Sequence, residues 1–306
     1  MLSIIIPVYN ESENIHLLIE RINKFTLQLN QPSEVLFIDD HSNDETPILL
    51  KKYCEEDQNL KYIRLSKNFG SHIAIIAGLK YCKGDCAVFL AADLQDPPEL
   101  ITEMIDKWKD NNDVVWAVRE TTEGISFFEK LFSRLFYFIF NMASDISLPP
   151  KGADFALLDR KVINSLLQST GTKPSLGALI SWLGFKQTEI SYIKEARKFG
   201  KSSWTLTKKI NALVDAFVGF SVLPLRVMSY LGFTFASLGF LYSLFLIVLK
   251  ITSNKPIVGW TSIMVVVLIL GGLQMLMIGV IGEYLWRNLE ESRKRPLFLI
   301  EDKVGI

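Results

Sequence analysis

Residues 2–29 read LSIIIPVYNESENIHLLIERINKFTLQL, and this stretch decides the fold class. Its first eight residues form a short apolar run, which is typical of a buried strand. The residues from Ser12 onward have helical periodicity, and their apolar face consists of Ile15, Leu18, Ile19 and Ile22. A buried strand followed at once by an amphipathic helix is the repeating unit of an α/β fold.

The alternation of strands and helices continues along the first part of the chain. Four more strands are predicted, at EVLFIDD (34–40), LKYIRLS (60–66), CAVFLAAD (86–93) and DVVWAVRE (113–120). Strands that alternate with helices predict a mainly parallel, doubly wound sheet. Ligands of such sheets bind at the carboxyl ends of the strands.

The composition of the 306-residue chain excludes several classes of protein. Its formal net charge is zero, whereas nucleic-acid-binding proteins usually carry a strongly basic domain. Its three cysteines give no disulfide framework and fit a reducing compartment. Cys82 and Cys86 lack a second pair or a histidine cluster, so no zinc site is expected. The N-terminus has no basic region and too short an apolar run for a signal peptide.

The C-terminal part of the sequence has the composition of a membrane protein. Residues 227–249 and 256–282 contain no charged side chain, and each segment can cross a hydrocarbon core of about 30 Å as a helix. Basic residues flank this pair on its outer sides: Lys208, Lys209, Arg226, Arg287, Arg293, Lys294 and Arg295. The positive-inside rule then places both termini and the α/β domain in the cytoplasm, at the inner (plasma) membrane.

Two stretches with mixed apolar and basic character are candidates for the membrane interface. Residues 127–142 fit an interfacial helix and a core helix equally well, whereas adjacency to the first span favours the interfacial position for residues 204–226. The predicted organisation is a cytoplasmic domain (1–203), an interfacial amphipathic helix (204–226), a two-helix transmembrane hairpin (227–287) and a cytoplasmic tail (288–306).

Polar side chains follow the predicted strands, at the edge where an α/β sheet binds its ligand. Pro7 and Tyr9 could form a platform for a flat base, and Glu11 could accept its N–H groups. Asp39 and Asp40 could bind hydroxyl groups or a base. Neither G-x-G-x-x-G nor a Walker A sequence is present, which argues against dinucleotide-binding and P-loop proteins. The loop after the third strand adds Lys67 and Asn68, and Asp44 is expected to cap the second helix.

Residues 89–100, FLAADLQDPPEL, predict a metal site after the fourth strand. Magnesium usually takes one or two carboxylates together with substrate phosphate oxygens and water, and Asp93 and Gln95 offer a carboxylate and a carbonyl oxygen. The alternative is that Asp93 and Asp96 cap the following helix, and it is the better explanation for Asp96, which directly precedes two prolines. Ala91 stands where a second carboxylate would complete an Asp-x-Asp pair.

Five motifs together resemble a known family. SIIIPVYNESENI, IDDHSNDET, LSKNFG, ADLQDPPEL and ADFALLDRKVI occur in the order and spacing of family-2 glycosyltransferases. The likeness is greatest to the polyprenyl-phosphate type, which is similar to dolichol-phosphate mannose synthase but with a C-terminal two-span hairpin. The resemblance covers essentially the whole chain. It implies a GT-A fold, a nucleotide-sugar donor, preferably a UDP-sugar, and inverting transfer to a polyprenyl phosphate lipid for glycosylation of the cell envelope.

The resemblance also implies roles for individual residues. Pro7, Tyr9, Glu11, Asp39, Asp40 and Asn68 would bind the nucleotide, while Asp93 and Gln95 would hold Mg²⁺ or Mn²⁺. Asp154 would lie near the reacting centre with Arg119 and Arg134, and Arg197, Lys198 and Lys201 would contact phosphates of donor and acceptor. Members of the family often form homotetramers through their membrane parts.

The sequence departs from the family pattern at Ala91, Ser71, Ala156 and Ser203. These departures concern the donor sugar and the strength of metal binding, and they are compatible with a catalytically silent membrane scaffold as an alternative. A processive synthase is a weaker alternative, because its Q-x-x-R-W motif and further spans are absent. An active enzyme is favoured, since a phosphate acceptor with a pKa of about 6 is largely ionised and needs no strong base.

Overall fold

The structure is a computed structural model that describes residues 1–29, 31–119, 155–169, 176–193, 195, 223–252 and 259–306. The chain divides into two compact units. The first consists of Met1–Asp215 with Arg295–Ile306, and the second is Ala216–Lys294.

An eight-stranded sheet, in the order β7-β5-β6-β4-β1-β2-β3-β8, forms the centre of the first unit. Strands β6 and β8 run antiparallel to their neighbours, and the other six run in one direction, so the predicted mainly parallel sheet is confirmed. The strands are β1 (Leu2–Val8), β2 (Ser33–Asp39), β3 (Leu60–Leu65), β4 (Cys86–Phe89), β5 (Val114–Arg119), β6 (Ala156–Asp159), β7 (Gln187–Tyr192) and β8 (Ile300–Val304).

Helices cover both faces of this sheet. They are α1 (Ser12–Gln28), α2 (Thr46–Glu56), α3 (Ser71–Tyr81), a short 3₁₀ turn (Pro98–Leu100), α4 (Ile101–Lys109), α5 (Arg160–Ser169) and α6 (Leu176–Trp182). The predicted apolar face of α1 is buried in the same core as Ile4 and Ile6 of β1, and each such side chain contributes about 1.5–3 kcal/mol. On the other face α3 lies so close that a Cβ at Gly78 would come within 2.4 Å of Ile5 Cγ2.

The predicted cytoplasmic tail includes a strand of the sheet. Residues 300–304 form β8, which pairs antiparallel with β3 so that Tyr62 faces Val304 and Arg64 faces Asp302. The segment Arg295–Ile306 therefore belongs to the first compact unit, and the domain predicted at 1–203 lacks one edge strand without it.

The second unit contains two long helices, α7 (Leu223–Thr252) and α8 (Trp260–Ser292). Leu225–Leu246 and Val265–Ser292 are long and apolar enough to cross a membrane. Large apolar side chains such as Phe233 and Met275 are more than 70% exposed in the structure, as expected for helices that face lipid. Of the predicted interfacial segments, 127–142 and 204–222 lie outside the described residues.

Candidate functional site

Four loops leave the carboxyl ends of neighbouring parallel strands, and hydrogen bonds tie three of them together. We name them by the strand they follow: the β1 loop (9–11), the β2 loop (40–45), the β3 loop (66–70) and the β4 loop (90–97). Strands β4, β1, β2 and β3 are adjacent in the sheet, so these loops share one edge. This is the edge at which the sequence predicts the ligand.

Asp39, the last residue of β2, is fully buried and has three polar neighbours. Its carboxylate accepts hydrogen bonds from the backbone N–H of Ser42 (2.8 Å), the hydroxyl of Tyr62 (2.9 Å) and the guanidinium of Arg64 (3.4 Å). Burial and the neighbouring Asp39 charge raise the pKa of Tyr62, so the phenol stays protonated and continues to donate. Asp39 thus holds the start of the β2 loop against β3.

Asp40 ties the β2 loop to the β3 loop. Its two oxygens accept hydrogen bonds from the backbone N–H groups of Phe69 (2.7 Å) and Gly70 (2.8 Å). Gly70 has a φ of 95°, a conformation that favours glycine, and it immediately precedes α3. Burial raises the pKa of the Asp40 carboxyl, although the two N–H bonds oppose that rise. The carboxylate therefore fixes the path of the β3 loop, which carries the exposed Asn68.

The β1 and β2 loops are joined by hydrogen bonds in both directions. Asn10 donates its backbone N–H to Ser42 Oγ (2.9 Å) and accepts from the backbone N–H of Asn43 at its side-chain oxygen (2.8 Å). Asp44 accepts from Thr46, the first residue of α2, at 3.0 Å, and also from Ser12, the first residue of α1, at 3.1 Å. Asp44 thus accepts the N–H of the first residue of both helices, although Glu45 and Glu11, and not Asp44, occupy their N-cap positions.

An open cavity of about 240 Å³ lies beside these links, lined by Asn10, Glu11, Ser12, Glu13, Asn14 and Asp44. Pro7 is the penultimate residue of β1, and Tyr9 is 39% exposed just beyond the strand. The side chain of Glu11 accepts a hydrogen bond from Asn14 at 2.5 Å. The structure therefore brings Pro7, Tyr9 and Glu11 to the predicted edge, next to a cavity with polar walls.

The β4 loop is built differently. Asp93 is 6% exposed, and its carboxylate accepts from the backbone N–H of Gln95 at 3.2 Å. The side-chain nitrogen of Gln95 donates to the carbonyl of Glu195 (3.1 Å), and the Glu195 N–H donates to the carbonyl of Gln95 (2.9 Å). The prediction that Asp96 caps the following helix is wrong. The 3₁₀ turn there has no side-chain cap, and Asp96 accepts a hydrogen bond from the hydroxyl of Tyr192 at 2.6 Å.

Arg21 of α1 holds the far side of the β4 loop. Its guanidinium donates to both oxygens of Glu195 (2.8 and 3.1 Å) and to both oxygens of Glu99 (2.8 and 3.2 Å). The hydrogen bond to Glu195 is the largest cause of a raised Arg21 pKa, so the cation is permanent. No sequence pattern predicted this cluster, because Glu99 and Glu195 lie 78 and 174 positions from Arg21.

The donor set of the β4 loop fits a magnesium-like cation. Asp93 supplies a carboxylate, and an amide such as Gln95 can donate through nitrogen while its oxygen binds a cation. Ala91 is half-buried and adds no ligand. Among the described residues no three His, Cys, Asp or Glu side chains cluster as a metal site, so phosphate oxygens of a substrate would have to complete the coordination.

Of the remaining predicted site residues, the structure describes one, Arg119. Arg119 ends β5, opposite Tyr192 in β7, and its side chain hydrogen bonds to that tyrosine. Arg119 thus lies on the carboxyl side of the sheet, where β6 separates β5 from β4. Arg134, Asp154, Arg197, Lys198 and Lys201 lie outside the described residues, as does the departure at Ser203.

Comparison with known proteins supports what the geometry suggests. Residues 3–167 match the family Glycosyl transferase family 2, and residues 223–287 match the GtrB C-terminal hairpin. The chain belongs to glycosyltransferase family 2. It is 39% identical to the uncharacterized glycosyltransferase YkcC of Bacillus subtilis, over 99% of this chain and 94% of YkcC. It is 31% identical to the bactoprenol glucosyl transferase of Shigella phage SfX, over 99% of both chains.

Solved structures agree on the fold of this glycosyltransferase. The mannosyltransferase PcManGT of Pyrobaculum calidifontis, solved with GDP-Man and Mn²⁺, superimposes with a TM-score of 0.50 at 18% identity, over 71% of this chain and 63% of the other. The GT-A fold expected from the resemblance is thereby confirmed. The hairpin match and the two long apolar helices identify a membrane-associated glycosyltransferase.

Proposed function

We propose that this glycosyltransferase moves a sugar, with inversion, from a nucleotide sugar to polyprenyl phosphate at the cytoplasmic face of the inner membrane. The observation that carries the proposal is that one chain combines two features. Hydrogen-bonded polar loops line the carboxyl edge of a GT-A sheet, and two helices are long and apolar enough to cross a membrane. A relative named for glucosyl transfer to bactoprenol, a polyprenyl lipid, aligns over nearly the whole chain and supports the lipid acceptor.

The donor binds at the β1, β2 and β3 loops. Pro7, Tyr9 and Glu11 contact the base beside the polar cavity, and Asn68 approaches from the β3 loop. Asp39 and Asp40 contribute mainly by holding these loops, since their oxygens accept hydrogen bonds from the protein. We propose a UDP-sugar as the donor.

Transfer is a single displacement. A phosphate oxygen of the lipid attacks the anomeric carbon, the bond from that carbon to the diphosphate oxygen breaks, and its electron pair leaves with the nucleoside diphosphate. The attacking monoester has a second pKa of about 6 and needs no strong base at neutral pH. A divalent cation, Mg²⁺ or Mn²⁺, held by Asp93 and Gln95 would stabilise charge on the departing diphosphate.

Positive side chains hold the two anions close together. Arg119 on β5 is the described member of this set, and we propose Arg134, Arg197, Lys198 and Lys201 as the others, with Asp154 near the reacting centre. Fixed cations in a water-poor site stabilise developing negative charge strongly. The Arg21 cluster supports this arrangement, because it fixes Glu195, which lies two residues before Arg197.

The hairpin keeps the enzyme within reach of a headgroup that cannot leave the bilayer. We propose that residues 1–203 with β8 form the cytoplasmic domain, that 204–226 lies along the interface, and that 227–287 spans the membrane with both termini in the cytoplasm. A homotetramer held by the membrane helices is the proposed assembly.

Purified full-length protein in nanodiscs tests the proposal directly. The protein is incubated with polyprenyl phosphate, Mg²⁺ or Mn²⁺ and a panel of UDP- and GDP-sugars, and lipid products are identified by mass spectrometry. We expect one donor to yield a polyprenyl-phosphate sugar. No product with any donor, together with no nucleotide binding by calorimetry, would overturn the proposal.

A further inference from the structure

The strand that follows the membrane hairpin in the sequence reaches the edge of the sheet next to the donor loops. β8 pairs with β3, and just before it the carbonyl of Leu299 accepts a hydrogen bond from the backbone N–H of Ser66 at 2.9 Å. Ser66 is the first residue of the β3 loop. The C-terminal segment thus contacts the point at which this loop begins.

Glu301 of β8 is linked to Asp39 through one side chain, Arg64. The carboxylate of Glu301 accepts from Arg64 Nε at 2.8 Å. The same guanidinium donates to the carbonyl of Ser42 at 3.2 Å and to Asp39 at 3.4 Å. Glu301 also lies 3.2 Å from His41 Nδ1, so it contacts one residue of the β2 loop and one residue of β3.

We infer that Glu301 is a positioning residue for the donor site, acting through Arg64 on the β2 loop. The inference rests on the proposed donor role of that loop. The guanidinium of Arg64 is planar, and its N–H donors point in fixed directions relative to one another. The hydrogen bond from Nε to Glu301 therefore sets the directions in which the other two nitrogens donate. Without Glu301 the guanidinium can turn toward solvent, and the Ser42 carbonyl and the buried Asp39 then lose a cationic donor.

The chain offers a matched control on the same strand. Asp302 is the next residue, and its carboxylate pairs with Lys51 of α2 at 2.5 Å. The two acidic side chains have similar exposure, 48% for Glu301 and 42% for Asp302. Asp302→Ala therefore removes a half-exposed ion pair with α2, whereas Glu301→Ala removes the pair with Arg64 together with the contact to His41. Only the second substitution affects contacts to Arg64 and the β2 loop.

Steady-state kinetics of the full-length protein in nanodiscs separate positioning from general stability. We expect Glu301→Ala to raise the KM for the donor about three- to tenfold and to leave kcat within about twofold, since a lost ground-state contact weakens binding uniformly. Asp302→Ala should leave both constants within about twofold of the wild type. Its melting temperature should change by about as much as that of Glu301→Ala. Glu301→Gln, which keeps an acceptor for Arg64 Nε, should give an intermediate KM.

Hydrogen–deuterium exchange tests the same link without any activity. Glu301→Ala should accelerate exchange of peptides covering the β2 loop, and Asp302→Ala should not. Equal exchange of that loop in the two variants, or equal donor KM values in an active enzyme, would overturn the positioning role while leaving the proposed function intact. If the wild-type protein showed no transfer activity but the two variants still differed in exchange of the β2 loop, only the proposed function would be refuted.

Discussion

The β2 loop and the β4 loop leave the same edge of the sheet, and both present buried carboxylates, but they use them differently. In the β2 loop, Asp40 accepts two backbone N–H groups of the β3 loop, and Asp44 accepts one from the start of α1 and one from the start of α2. In the β4 loop, Asp93 accepts the N–H of Gln95, two residues away in the same loop. The β2 loop uses Asp40 and Asp44 to hold its neighbours, whereas the β4 loop holds its neighbours through Gln95 and Asp96 and places Asp93 in a short local turn.

This difference separates two roles of acidic sequence motifs, namely stabilising the fold and binding substrate or metal. A carboxylate that organises backbone N–H groups across several loops should matter first for stability and only then for substrate binding. A carboxylate in a local turn should matter for chemistry with little effect on folding. Substitutions in the two loops can test this division directly.

The largest effect is expected at Asp93. Asp93→Ala should abolish transfer, and Asp93→Asn, which keeps the size and an acceptor for the Gln95 N–H, should lower kcat/KM by about 100-fold or more. The melting temperature of Asp93→Asn should stay close to that of the wild type, since asparagine keeps the size of the side chain and an acceptor for the Gln95 N–H. The measurements are initial rates at saturating Mg²⁺ and thermal unfolding in detergent. Full activity of Asp93→Ala would rule out a metal site at this position.

A large effect of the opposite kind is expected at Asp40. Asp40→Ala leaves the N–H groups of Phe69 and Gly70 without their acceptor, and each unsatisfied buried group costs about 1–3 kcal/mol. The variant should therefore unfold at a clearly lower temperature and bind donor more weakly. Denaturant unfolding in detergent, with Asp93→Asn as the comparison, measures the difference. Equal stability of the two variants would remove the distinction between the loops.

The strands that sequence patterns predicted are those with buried, apolar side chains. β1 to β5 appeared as mostly apolar runs because strands covered on both faces favour apolar side chains, although β2 and β3 also bury Glu34 and Lys61 as an ion pair. β7 (QTEISY) and β8 (IEDKV) are the two outermost strands of the sheet and bury few side chains. No apolar pattern in the sequence therefore predicted them. β6 is central and no shorter than β4, but it was not predicted as a strand.

The site divides in the same way. The strand-end rule located Pro7, Glu11 and Asp93 correctly at one edge, since it depends only on local order along the chain. The contacts that give these residues their environment are long-range. Arg64 and Glu301 are 237 positions apart, and nothing local in either segment indicates the other.

A moderate effect with a distinctive pH dependence is expected at Asp44. Burial alone would raise the pKa of this carboxyl, but hydrogen bonds from Thr46 and Ser12 outweigh it and hold the pKa below its ordinary value. A lowered pKa stabilises the fold above the unfolded-state pKa of about 3.9, and this stability is lost as the pH falls through the folded-state value.

Asp44→Asn keeps an acceptor but removes the charge, so near pH 7 it should lower the free energy of unfolding by less than complete loss of a helix cap does, which costs about 0.5–2 kcal/mol. The difference from the wild type should shrink below about pH 4. Urea unfolding at the two pH values measures it. For Asp40, whose pKa is raised mainly by burial, the sign is opposite: its titration reduces stability as the pH rises above the unfolded-state value. A pH-independent Asp44→Asn difference would contradict this assignment.

The smallest effect is expected from adding a carboxylate at Ala91, two residues before Asp93. Ala91→Asp should lower the Mg²⁺ concentration for half-maximal activity by about three- to tenfold, because a second carboxylate strengthens a site that otherwise relies on substrate phosphates. The maximal rate should change little, since the cation already present at saturation performs the same electrostatic work. Ala91→Asn is the control of equal size without charge. If both substitutions shift the Mg²⁺ requirement equally, the residue acts through the shape of the β4 loop, and the side chain at position 91 does not face the metal.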